Sequence, residues 1–173
     1  SIFRPDDEGT VIVKNEEIID RIVKAVTMMK DVAVVNIKGV GMAETPGIIG
    51  KIFSELGNKG INIIMVSGSS ESNLSIVVKK SNVENTLEII NQLSNSGIRK
   101  IEVMEDVRII AVIGAGMAGS KGVAAKLFKI VADNDASIIM IAQGSSEVNI
   151  SFVVEEKFSE DIVKAIHREF IEK

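Results

Sequence analysis

The chain has 173 residues, 46% of them apolar, enough for one ordinary domain or two small ones with real cores. It contains no Cys, which excludes disulfides, thiolate metal sites and a cysteine nucleophile and makes a reducing cytoplasm the expected compartment. A net charge of −4, scattered Lys and Arg, no Trp or Tyr and six Phe argue against a nucleic-acid surface, and neither a membrane-length apolar run nor a signal-peptide core is visible.

The first element in chain order is a short strand-like stretch at about 9–14, containing Thr10 and Val13. Residues 15–30 open on Asn15, Glu16 and Glu17 and set Ile18, Ile19, Ile22, Val23, Val26 and Met29 on one stripe, which predicts an amphipathic linking helix. The β-branched run 32–38 predicts a strand, and 47–58 a helix with Ile48, Ile49, Ile52, Phe53 and Leu56 on one face. Residues 61–67 and 73–79 read as two strands joined by a Gly/Ser turn, with Leu74, Ile76 and Val78 alternating. Ser81 and Glu84 have capping-box spacing before a helix carrying Val83, Leu87, Ile90 and Leu93, which Gly97 ends; a strand at 98–104 follows.

That βαββαβ order then recurs. GVGMAETPGIIGKIF at 39–53 returns as GAGMAGSKGVAAKLF at 114–128, and GSSESNLSIVV at 68–78 returns as GSSEVNISFVV at 144–154. Gly39 and Gly114 set the offset at 75 residues, Gly68 and Gly144 at 76. The second copy predicts strands at 107–113, 137–143 and 148–155 and helices at 122–134 and 159–172. It lacks a fourth strand. The predicted fold class is therefore α+β: two ferredoxin-like βαββαβ units, a first domain at 31–106 and a second at 107–173 whose open edge the N-terminal strand at about 9–14 completes, with 15–30 as the linking helix.

Gly114, Gly116 and Gly119 form GxGxxG between a strand and a helix, the local setting of a dinucleotide site. The following strand, SIIMIAQ, carries no acid for a ribose, and Glu44 stands where the first copy needs its third glycine, so the glycines are read as tight-turn residues. Each turn opens on a helix N-terminus that suits a small carboxylate, with Ala43, Thr45, Ala118 and Ser120 leaving room. Glu71 and Glu147 recur without a partner acid, His or Cys. They are expected to satisfy turn backbone, and neither a catalytic pair nor a metal site is expected. His167, the one His, falls on the outer side of a helix that turns Ile162, Val163, Ile166 and Phe170 inward. Met42 and Met117 suit packing, and Lys38, Lys51 and Lys126 are expected as solvated charges.

The doubled G-x-G-M turn before a Gly-started helix, the NI strand, QGSSEVNISFVV and the terminal HREF closely resemble the tandem ACT domains at the C-terminus of aspartate kinase, over roughly residues 5–172. The resemblance implies an allosteric region that dimerises through ACT pairing, binds an end-product amino acid (lysine or threonine) and inhibits phosphorylation of aspartate in the lysine, threonine and methionine pathway. It implies a kinase domain of the same protein as partner. The catalytic motifs of that domain, including a KFGG-type start, are not in this chain, which should be inactive alone; ATP and Mg would belong to the missing domain, so no cofactor is expected here. A free-standing amino-acid sensor acting on another protein is the alternative.

By position, the resemblance implies effector contacts at Met42, Glu44, Thr45, Gly47, Ile48, Ile49, Asn62, Ile63 and Ile64 in the first copy. In the second it implies Met117, Ser120, Gly122, Val123, Ser137, Ile138, Ile139 and Gln143. Lysine-sensitive relatives carry Asp at the position of Ile64, which favours threonine here, because an apolar Ile cannot pair an ammonium. Asn62 is matched by Ser137, and Gln143 has no counterpart in the first copy, so unequal sites are expected.

Overall fold

The computed structural model describes residues 22–39, 46–70, 72–93 and 97–172. The strand expected at 9–14 lies outside them, as do residues 15–21 of the expected linking helix.

Ten elements follow in the order β1 (Ala25–Lys38), α1 (Ile48–Asn58), β2 (Met65–Ser70), β3 (Asn73–Lys79), α2 (Val83–Gln92), β4 (Lys100–Ile113), α3 (Val123–Asp133), β5 (Met140–Gln143), β6 (Asn149–Glu155) and α4 (Glu156–Phe170). One antiparallel sheet joins the strands in the order β2-β3-β1-β4-β6-β5. The C-terminal half of β1 pairs with β3 and with the start of β4; its N-terminal half pairs with the end of β4, Ala25 facing Ile113 and Met29 facing Ile109. Each half of the sheet thus has the four-strand order of a ferredoxin-like unit. The expected α+β class with two such units is what the chain forms.

Residues 25–30, expected as the end of the linking helix, are strand. Their apolar stripe is equally compatible with strand, and an open sheet edge supplies the hydrogen bonds that decide between the two. The repeat explains why this segment fits. Counting back 75 residues from the fourth strand of the first unit places Val23 on Ile98, Lys24 on Arg99, Val26 on Ile101, Met29 on Met104 and Asp31 on Asp106. Two bonds show the same correspondence: Lys24 N–H donates to the Ile113 carbonyl at 2.7 Å, and Arg99 N–H to the Lys38 carbonyl at 2.8 Å.

The pairing of β1 with β4 is irregular between Met29 and Val34, beside Asp31 at φ 57°. There the sheet folds, bringing β2 and β5 near each other and placing Val32, Val34, Met65, Val77, Val107, Ile109, Met140 and Val153 in an apolar cluster on its helix-free face. The opposite face carries one core per unit: Val35, Ile37, Ile52, Leu56, Ile76 and Ile90 under α1 and α2, and Val23, Ile110, Val112, Leu127, Phe152 and Ile162 under α3 and α4. Covering both faces is why consecutive residues such as Val32, Ala33, Val34 and Val35 are all buried, where a one-sided sheet would alternate.

Several local expectations change, and β2 and β5 begin at Met65 and Met140 where strands were expected from 61 and 137. Ser81 makes no cap: it lies in a 3-10 turn, the N-cap of α2 is Asn82 without a side-chain bond, and Thr86 Oγ1 donates to the Asn82 carbonyl at 2.7 Å. Helix α4 starts at Glu156, three residues before the expected start at Ser159, whose hydroxyl donates back to the Glu156 carbonyl. The strands expected at 98–104 and 107–113 are one strand, β4.

Candidate functional site

In the second copy, β4 ends at Ile113 and the chain turns through Gly114 and a 3-10 turn at Ala115–Met117 before α3. Gly114 lies against the backbone just before β1, where a Cβ would stand 2.3 Å from the Ile22 carbonyl oxygen; at the matching Gly39 it would stand 2.1 Å from that of Gly97. The first glycine of each GxGxxG-like turn is therefore accounted for by close backbone approach. The N-caps Gly47 and Gly122 both adopt left-handed conformations, φ 82° and 84°, without a capping side chain. The first N–H groups of α1 and α3 are thus left uncapped by side chains, at the positive end of each helix dipole.

A cavity of about 230 Å³ opens at the start of α3, lined by Met117, Ser120, Gly122, Val123, Ala124, Ala125, Gln143, Glu147 and Ile150. It brings together Met117, Ser120, Gly122, Val123 and Gln143 of the expected effector residues. Ile138 and Ile139 line a different cleft, on the helix-free sheet face, and Ser137 is exposed and lines neither. The hydroxyl of Ser120 donates to the Gly116 carbonyl at 2.6 Å, and Met117 is both packed, at 3% exposure, and part of the cavity wall.

In the first copy Met42, Glu44 and Thr45 lie outside the described residues. Gly47 caps α1, Ile48 is buried and Ile49 exposed, Asn62 is exposed, and Ile63 and Ile64 are half-buried. Ile64 donates its N–H to the Val77 carbonyl at 2.8 Å and lines a second sheet-face cleft with Met65 and Val66, where no acidic side chain lies among the described lining residues.

The two sheet-face clefts, about 360 and 380 Å³, are related by the repeat but differ in chemistry. The first contains Asn36, Ser67 and Ser75, and the matching positions in the second are Ala111, Ala142 and Ser151. Beside the first, Ser75 Oγ donates to Asn36 Oδ1 at 3.3 Å and Asn36 Nδ2 to Glu102 at 3.4 Å, while Lys100 and Lys38 each reach Glu102 at 2.6 Å. Hydrogen bonds from Lys100 first and Lys38 second pull the Glu102 carboxyl down to about 2. Lys38 and Lys126 are accordingly ion-paired, the latter with Glu169 at 2.7 Å, and are not simply solvated.

Glu147 was expected to satisfy the backbone of its own turn. It instead accepts a hydrogen bond at 2.7 Å from the N–H of Gly119, in the loop before α3. The recurring GSSExN string follows the strand that ends beside the Gly turn, and that adjacency was the available signal. His167 is exposed and 3.0 Å from Glu172 Oε1. Among the described residues no group of His, Asp or Glu could hold a metal, and no helix is long and apolar enough to cross a membrane.

Comparison with known proteins agrees with this architecture. The ACT domain family model matches residues 35–93 and 110–170. A bifunctional aspartokinase/homoserine dehydrogenase of Haemophilus influenzae is 36% identical over 95% of this chain but only 21% of its own length, and an Arabidopsis thaliana counterpart is 33% identical over 98% and 20%. The chain thus spans about a fifth of these curated relatives. Among solved structures, the regulatory subunit of aspartate kinase from Thermus thermophilus, in ligand-free form, superimposes with a TM-score of 0.76 at 27% identity, covering 87% of this chain and 99% of that one. Clostridium acetobutylicum aspartate kinase gives 0.78 at 28%, covering 86% and 34%. With one family match in each half of a folded-over sheet, the chain belongs to the ACT-domain family, as a tandem pair of the kind that forms the regulatory region of aspartate kinases.

Proposed function

We propose that this chain is the allosteric regulatory region of an aspartate kinase, which makes 4-phospho-aspartate from aspartate, and that it inhibits the kinase when an end-product amino acid binds at the turn-to-helix sites. The observation that carries this reading is the likeness, over 98–99% of their length, to the regulatory subunits of aspartate kinase from two Thermus species. The units are assigned to 31–106 and 107–173, with residues 25–29 as the fourth strand of the second, and the partners are a kinase domain and a second copy of the chain.

Threonine is favoured over lysine as effector. The 230 Å³ cavity suits a small amino acid, and the described residues lining the cleft beside Ile64 include no acidic partner for a lysine ammonium. Inhibition requires only that effector bind the inhibited arrangement more tightly than the active one.

Thermal melting followed by circular dichroism tests the choice. Threonine at 100 times its Kd stabilises by about 2.7 kcal/mol, or about 5–10 °C for a chain of this size, whereas lysine at equal concentration leaves Tm unchanged. Stabilisation by lysine alone reverses the effector choice; stabilisation by neither removes the effector reading. The second reading, a free-standing sensor acting on a separate partner, is supported by the same near-complete coverage, since those regulatory subunits are separate chains. The reading frame upstream of Ser1 decides between the two.

A further inference from the structure

Within the cavity at the start of α3, Glu147 is the charged side chain of the lining. Its backbone sits at φ 57°, a region that Gly, Asn and Asp enter far more readily than Glu, so turn geometry alone does not account for a glutamate there. The side chain reaches from the β5–β6 turn to the Gly119 N–H at 2.7 Å, while the Gly114 N–H donates to the Val148 carbonyl at 3.0 Å. Together these bonds tie the β5–β6 turn to the loop before α3. The uncapped first residues of α3 line the same cavity.

The cavity is therefore bipolar, with a carboxylate on one wall and backbone donors at a positive dipole end on another. A lone carboxylic acid would meet a like charge at Glu147. A zwitterion would present each of its charges to an opposite one. We propose that Glu147 is the ammonium acceptor that restricts the second-copy cavity to α-amino acids, and that in the empty cavity its carboxylate rests on the Gly119 N–H, exchanging that partner for the ligand's ammonium on binding. This rests on the reading that the cavity takes a free amino acid; it adds which side chain selects the ammonium and what the ligand must displace.

The test uses the full chain, isotope-labelled, with L-threonine and its des-amino analogue 3-hydroxybutyrate as probes and the amide signals of Gly119 and Ala124 as reporters of this copy. In the native protein, threonine shifts both signals and binds at least ten-fold more tightly than 3-hydroxybutyrate. Glu147→Gln retains an oxygen for the Gly119 N–H, so it preserves the turn; it weakens threonine ten-fold or more and leaves 3-hydroxybutyrate unchanged or tighter. Glu147→Asp, which keeps the charge, recovers part of the threonine affinity. Undiminished threonine binding in Glu147→Gln, or threonine binding without a Gly119 shift, overturns the assignment. Failure of threonine and lysine to bind the native chain at all instead removes the amino-acid reading beneath it, so the two failures are distinguishable.

Discussion

Gly114→Ala should be among the most damaging single-methyl additions in this chain. The added Cβ would lie 2.3 Å from the Ile22 carbonyl oxygen, 2.8 Å from Val23 Cα and 3.0 Å from Lys24 N, all backbone atoms that cannot rotate away. Restoring ordinary contact requires about 1 Å of separation between the end of β4 and the segment just before β1. That movement stretches the 2.7 Å bond from the Lys24 N–H to the Ile113 carbonyl beyond useful length. Losing the bond costs about 1 kcal/mol and the overpacking about 1–3 kcal/mol more, so the expected destabilisation is about 2–4 kcal/mol, or about 5–15 °C in Tm. With no Trp or Tyr in the chain, far-UV circular dichroism in urea is the suitable assay. Gly57→Ala, in α1 with nothing within 4 Å of its added Cβ, is the control of opposite sign, stabilising by about 0.5 kcal/mol. A Gly114→Ala midpoint within 0.5 kcal/mol of the native one, at unchanged m-value, would refute the close-approach argument.

Two further outcomes follow from charge. Arg108 is 8% exposed, donates to the Val107 carbonyl at 3.0 Å and pairs with Glu156 at the start of α4, so Glu156→Ala strands a buried cation and should cost about 1–3 kcal/mol, less than a fully buried pair because Glu156 is itself half-exposed; Arg108→Met in the same background should recover most of that loss in urea melts. The Glu102 carboxyl is held at about 2 against 4.5 in the unfolded chain, so its contribution is complete above pH 4.5 and is lost as pH falls towards 2. Native stability should therefore fall more steeply across that window than that of Glu102→Gln, by an amount that shrinks with added salt, and parallel slopes would contradict the Lys100 and Lys38 bonding.

The repeat made the fold legible because both halves display the same periods: β-branched runs at 32–38 and 107–113, helical stripes through Ile52 and Leu56 or Leu127 and Val131, and hairpins around Gly68 and Gly144. It also identified the missing fourth strand of the second copy. What it did not identify was the segment that fills it. Residues 25–30 carry apolar side chains compatible with either period, and their strand state depends on pairing with residues nearly ninety positions away, Ala25 with Ile113. At the cavity, Met117, Ser120, Gly122, Val123 and Gln143 share one lining, whereas Ile138 and Ile139, in the segment just before β5, line the first sheet-face cleft. The role of Glu147 was hidden for a similar reason: its acceptor function concerns Gly119, twenty-eight residues earlier, and local spacing shows only a turn.

Sharing two long strands has a consequence for cooperativity. Both β1 and β4 contribute one half to each unit, and the cluster around Val34, Val77, Ile109 and Val153 draws on strands of both. Unfolding the second unit would therefore strip the first of one sheet face and release the strands it is built on. Leu127 is fully buried in the second core, and Leu127→Ala should cost about 2–5 kcal/mol. If the units unfold together, native-state hydrogen exchange should show the same loss of protection at Val35 and Ile76 of the first unit as at Val112 and Phe152 of the second, with one urea transition. Full protection retained at Val35 and Ile76 would mean that each unit keeps its own stability. The bend at Asp31 would then be a joint between independent bodies, and a ligand at one unit could influence the other only weakly; a common loss means that both units are built on one cooperative sheet, which is the physical requirement for effector binding at one unit to alter the other.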